Sequence, residues 1–107
     1  MDLKLTNKTA LITGASKGIG LAVAELFAGE GCHLHLAARN GEAMLEAKKQ
    51  LEARHGVKIT IHALDLSSTA AMEKLAAEVG DIDILINNAG DIPVSYTHLT
   101  LPTILRV

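Results

Sequence analysis

The clearest chemical pattern in the chain is eight residues long: Thr13-Gly14-Ala15-Ser16-Lys17-Gly18-Ile19-Gly20. Three glycines at this spacing, between a β-prone run and a helical period, suit a backbone that must grip a diphosphate. Gly14 lets the chain turn sharply off a strand. Gly18 removes a side chain where a pyrophosphate approaches, and Gly20 lets a helix pack close to a sheet. Amides at the helix start, aided by the helix dipole, then hold the phosphates. The plain alternative is a glycine-rich turn needed only for packing. A Walker loop is excluded, because it requires glycine at 19 and lysine at 20, where Ile19 and Gly20 stand.

The elements that must position this loop follow in regular order. Lys8 to Thr13 reads as a first strand. A helix from Gly18 places Ile19, Val23 and Leu26 on one face and closes near Gly29-Glu30-Gly31. Cys32 to Ala38 is a second strand. Asn40 caps a second helix with Met44, Ala47 and Leu51 inward, a solvated face of Glu46, Lys48, Lys49 and Glu52, and Gly56 at its end. Val57 to Leu64 is a third strand, and Ser67 or Ser68 caps a third helix with Met72, Leu75 and Val79 inward. After Gly80, Ile82 to Ile86 forms a fourth strand that runs into Asn87-Asn88-Ala89-Gly90.

The order β-α-β-α-β-α-β predicts an α/β fold, a Rossmann-type doubly wound parallel sheet truncated after the fourth strand. Such sheets bind ligands beyond the carboxyl ends of their strands. Three marked stretches fall there: the glycine loop, residues 38–40 and residues 87–90.

Composition narrows the function classes. The 107 residues are 49% apolar and 21% charged, which fits one small globular domain or part of a larger one. A formal charge of −2 excludes broad electrostatic capture of nucleic acid or of an anionic membrane. Only Phe27 and Tyr96 are aromatic, so the core is built from Ala, Val, Ile, Leu and Met. The lone Cys32 forms no intrachain disulfide, and with no signal-peptide pattern at the start the expectation is cytoplasmic. Cys32, His33 and His35 do not read as a metal site: on a strand His33 and His35 share one face and Cys32 points to the other. His62 and His55 show no convergent partners.

Two stretches together, TGxxxGxG at Thr13–Gly20 and Asn87-Asn88-Ala89-Gly90 after a fourth strand, resemble the short-chain dehydrogenase/reductase family. The resemblance runs from about Leu5 to Pro93 and covers only the cofactor-binding first part of a typical member. It implies hydride transfer between a nicotinamide dinucleotide and a carbonyl or alcohol. It also implies that Asp65-Leu66 meets the adenine, that Asn88, Ala89 and Gly90 line the ribose side, and that Asn87 ties the central strands together. For Asp65 the bland reading is a charge near a helix start.

The coenzyme choice rests on the end of the second strand. An acid there accepts from a 2′-hydroxyl, whereas a 2′-phosphate needs positive charge. Here Ala37-Ala38-Arg39-Asn40 offers no carboxylate, and Arg39 stands 19 residues after Gly20. Lys17 is a second cation in the loop. Together they favour NADP over NAD; taken singly, each is an ordinary surface cation.

The family's catalytic Tyr-x-x-x-Lys pair is not found. Tyr96 is followed four residues later by Thr100 and comes six residues after Gly90, too early for the catalytic helix. No catalytic residue is assigned. Residues 94–107 (VSYTHLTLPTILRV) break the pattern and resemble a translated sequencing-library adapter, so residues 1–93 are read as the native cofactor-binding part. On that reading Ile84-Leu85-Ile86 lies on an unpaired, aggregation-prone edge. Two rival functions share the fold: a non-catalytic dinucleotide sensor, and an epimerase or dehydratase acting on nucleotide sugars. The latter more often shows GxxGxxG and an acid ending strand two. The implied partner of the parent enzyme is a small carbonyl or alcohol, and the parent is expected to be a homo-oligomer.

Overall fold

A computed structural model describes residues 5–16 and 18–88 in full, and residues 103–106 as backbone. Lys17, Ala89, Gly90 and residues 94–102 of the tail lie outside the described residues. Strands and helices alternate as β1 (Thr9–Thr13), α1 (Gly18–Gly29), β2 (His33–Ala38), α2 (Gly41–His55), β3 (Ile59–Ala63), α3 (Thr69–Val79) and β4 (Ile84–Asn87). A further strand, β5, spans Thr103–Arg106. All neighbours pair in parallel in the order β3-β2-β1-β4-β5. The Rossmann-like α/β sheet expected from the sequence is therefore present.

Parallel strands covered on both faces must be apolar on both faces, which explains the short runs ALI in β1 and ILI in β4. Ala10 and Ile12 face a core shared with α1 and α2, while Leu11 and Leu85 face a second core shared with α3. Asn40 and Ser68 cap α2 and α3 by accepting from the amides of Ala43 and Ala71. Gly56 ends α2 in the left-handed conformation with φ 68°.

Four expectations are corrected. First, β4 is not an open edge: Ile84, Leu85, Ile86 and Asn87 pair with residues 103–106 of β5. The run Thr-Ile-Leu-Arg after Pro102 has β-branched and apolar residues suited to a strand, a signal hidden by its departure from helical periodicity. Second, the inward face of α1 is Gly20, Ala24, Phe27 and Ala28, with Val23 packed against the core as expected, while Ile19 and Leu26 are exposed. A helix seated close on a sheet puts its smallest residues at the contact, so the stripe of larger side chains misleads. Third, His62 and His55 do have partners. His62 meets His35 and Glu78, and His55 meets Glu25 of α1. Fourth, Glu52 is not simply solvated, because its carboxylate accepts from the amide of Ile59 at 3.0 Å and ties α2 to the start of β3.

Candidate functional site

The glycine loop leaves β1 at Gly14, whose φ of 67° is the left-handed value glycine tolerates. The amides of Gly14 and Ala15 both donate to the carbonyl of Ala37, so the loop starts across the end of β2. Gly20 is required by contact. A Cβ there would lie 2.3 Å from the Gly14 carbonyl oxygen and 2.9 Å from the Ala15 Cα. Gly18 differs: its φ is 59° and a Cβ would meet nothing within 4 Å. The loop is thus pinned against the helix at one glycine and open at the other. The first-turn amides of α1 have no intrahelical acceptor. Ile19, on that turn, is 58% exposed.

A second loop is tied to the first. Buried Thr13 donates its hydroxyl hydrogen to Asn87 Oδ1 at 3.0 Å and accepts from the Asn88 backbone amide at 3.2 Å. The Asn88 side-chain amide donates to the Gly14 carbonyl at 3.2 Å. Asn87 joins β1 to β4, where it is the register partner of Thr13. Nothing is described for Ala89 and Gly90, or for Lys17.

An open cavity of about 470 Å³ lies at the carboxyl ends of β1, β2 and β3. Gly14 and Ser16 form one wall, Ala38, Arg39 and Asn40 a second, and Asp65, Leu66 and Ser67 a third. Five of the residues singled out from sequence therefore share one cavity: Gly14, Ser16, Arg39, Asp65 and Leu66. Gly18, Ile19, Gly20 and Asn88 stand outside its walls.

Charge on this cavity is paired. Arg39 Nη2 donates to Asp65 Oδ1 at 3.1 Å. The same oxygen accepts from the Ser67 hydroxyl at 2.7 Å and the Ser67 amide at 2.9 Å. The two Ser67 bonds, with Arg39 beside them, hold the exposed Asp65 carboxyl down at about 2. Ser67 is thus the anchor of Asp65, and Ser68 is the cap of α3. The role of Ser67 at Asp65 was visible in the Asp-x-Ser spacing, which commonly closes an Asx turn.

Elsewhere, His35 Nδ1 and His62 Nε2 lie 3.0 Å apart in stacked rings, and His62 Nδ1 is 3.3 Å from Glu78 of α3. Beside them, between β3 and α3, is a smaller cavity of about 240 Å³. Burial, then His62 and Lys58, pushes His35 below its usual range. Burial and Asp83 raise the Cys32 thiol to about 11, which leaves it unreactive. Among the described residues no three metal-ligating side chains are grouped, and no helix is long and apolar enough to cross a membrane.

Comparison with known proteins places this geometry in a family. Residues 8–105 match the short chain dehydrogenase family. The 3-oxoacyl-[acyl-carrier-protein] reductase FabG of Chlamydia muridarum is 38% identical over 94 residues, covering 84% of this chain and 38% of the relative. L-sorbose reductase from Gluconobacter frateurii, solved with NADPH and L-sorbose, superposes with a TM-score of 0.76 and 41% identity, covering 85% of this chain and 36% of that one. A metagenomic short-chain oxidoreductase in complex with NADP gives a TM-score of 0.76 and 36% identity over 81% of this chain and 41% of its own. The chain thus spans well under half the length of these relatives. With the family's profile matched across nearly all of its strands and helices, the chain belongs to the short chain dehydrogenase family.

Proposed function

We propose that this chain is the cofactor-binding part of an NADP(H)-dependent oxidoreductase acting on a carbonyl or alcohol. The observation that carries the reading is the end of β2: an exposed arginine and no carboxylate, on one cavity with the glycine loop. Bound there, the dinucleotide supplies the hydride. The residues present suit it. The open side at Gly18 admits a diphosphate to the backbone, and the first-turn amides at Ile19 and Gly20 offer donors to it. Gly14 and Ser16 flank this path, and Lys17 adds charge to it. Arg39 holds a 2′-phosphate, Asp65 and Leu66 border the adenine, and Asn88, Ala89 and Gly90 line the ribose side. The NADPH- and NADP-bound neighbours support the coenzyme assignment.

Titration of the chain with NADPH and NADH, followed by nicotinamide fluorescence, tests this. NADPH is expected to bind more tightly, and Arg39→Ala is expected to weaken NADPH about tenfold while leaving NADH nearly unchanged. Tighter binding of NADH refutes the coenzyme assignment. No binding of either coenzyme by folded protein refutes the site.

A further inference from the structure

We propose that Asp65 tunes coenzyme discrimination by competing with the incoming 2′-phosphate for Arg39, an inference that rests on the coenzyme site proposed above. Asp65 is anchored independently of Arg39, since two donors from Ser67 reach the same carboxylate oxygen at 2.7 and 2.9 Å. Arg39 has no comparable anchor among the described residues: its side chain is 76% exposed, and its one ion pair there is the 3.1 Å contact with that oxygen. The arginine is therefore the partner that moves.

The pair matters differently for the two kinds of nucleotide. A nucleotide with a 2′-hydroxyl can enter this cavity with the Arg39–Asp65 bridge intact. One with a 2′-phosphate must draw the guanidinium away from the carboxylate, or share it. Sharing leaves the guanidinium's charge divided between carboxylate and phosphate, so the phosphate gains less from it. Arg39 thus attracts the phosphate, and Asp65 subtracts from that attraction. An exposed pair of this kind changes affinity only modestly, by roughly two- to fivefold.

Asp65→Asn isolates the effect, because the amide oxygen still accepts from Ser67 while the charge is gone. Binding of adenosine 2′,5′-bisphosphate and of 5′-AMP is measured by calorimetry on wild type, Asp65→Asn, Arg39→Ala and the double variant. Any altered contact to adenine affects both nucleotides and cancels in their ratio. The preference for the bisphosphate is expected to rise roughly two- to fivefold in Asp65→Asn, and this gain is expected to vanish when Arg39 is also alanine. An unchanged or reduced preference overturns the proposal and makes Asp65 a group that merely holds Arg39 in place. A gain that persists without Arg39 also overturns it, assigning the effect to direct repulsion. If wild type binds neither nucleotide, the coenzyme site itself fails, which is distinct from binding with an unaltered ratio.

Discussion

The two faces of the sheet are sealed in different ways. On one, α1 and α2 lie over Ile12, Leu34, Leu36, Ile59 and Ile86, and the seam is filled by Phe27, Ala28, Met44 and Leu51. On the other, among the described residues, α3 brings Met72, Leu75 and Val79 to Leu11 and Leu85, and toward β3 the interface turns polar at His35, His62 and Glu78. The first face holds the helix whose close seating shapes the glycine loop. Its core is apolar, with Glu25 of α1 paired to Arg54 and His55 of α2 at the helix–helix edge. Among the described residues the second face is covered by α3, and at its polar end burial holds His35 below its usual range. Precision is built into one side and acid sensitivity into the other.

The most damaging way to break this contrast is Gly20→Val on the first face. Its Cβ meets backbone at 2.3 and 2.9 Å, and backbone cannot yield as a flexible side chain would. We expect a loss of about 3 kcal/mol in denaturant unfolding and loss of nucleotide binding. A variant with wild-type stability would show that α1 is not seated as described. Next is Ser68→Ala, which removes the α3 cap and should cost about 1 kcal/mol. Asn40→Ala at α2 should cost less, because α1 shares that face and the Arg54–Glu25 pair links the two helices.

The smallest effect sharpens the comparison through pH. His35 in the fold lies below its unfolded value of about 6.5, so the unfolded chain takes the proton more readily. Its contribution is complete above about pH 6.5 and is lost as pH falls through the folded value. Unfolding free energy measured between pH 8 and pH 5 should decline for wild type and decline less for His35→Phe. Equal slopes would remove His35 as the source. The Asp65 carboxyl acts lower, in the window from about 3.9 down to about 2.

Much of this was legible in the residues, and the failures share a cause. Caps at Asn40 and Ser68, the stop at Gly56 and the inward residues of α3 follow from local chemistry that each segment carries itself. The glycine loop was legible for the same reason, since its spacing states its geometry. The His35–His62 contact was not. It depends on the parallel register that sets Ala37 opposite His62, and no local pattern brings together two residues 27 apart on different strands. The inward face of α1 was misread because close approach to a sheet favours glycine and alanine over the larger residues that mark a stripe. The Arg39–Asp65 pair joins two strand ends, so either residue alone suggests a ligand and not a partner.

The clasp of Thr13 with Asn87 and Asn88 carries a consequence for how a ligand is received. It fastens the roots of two loops to each other with bonds made when the chain folds. The conformational freedom of those loop roots is surrendered before any nucleotide arrives, so little ordering is charged to association there. Adaptation is left to the long, exposed guanidinium at the rim.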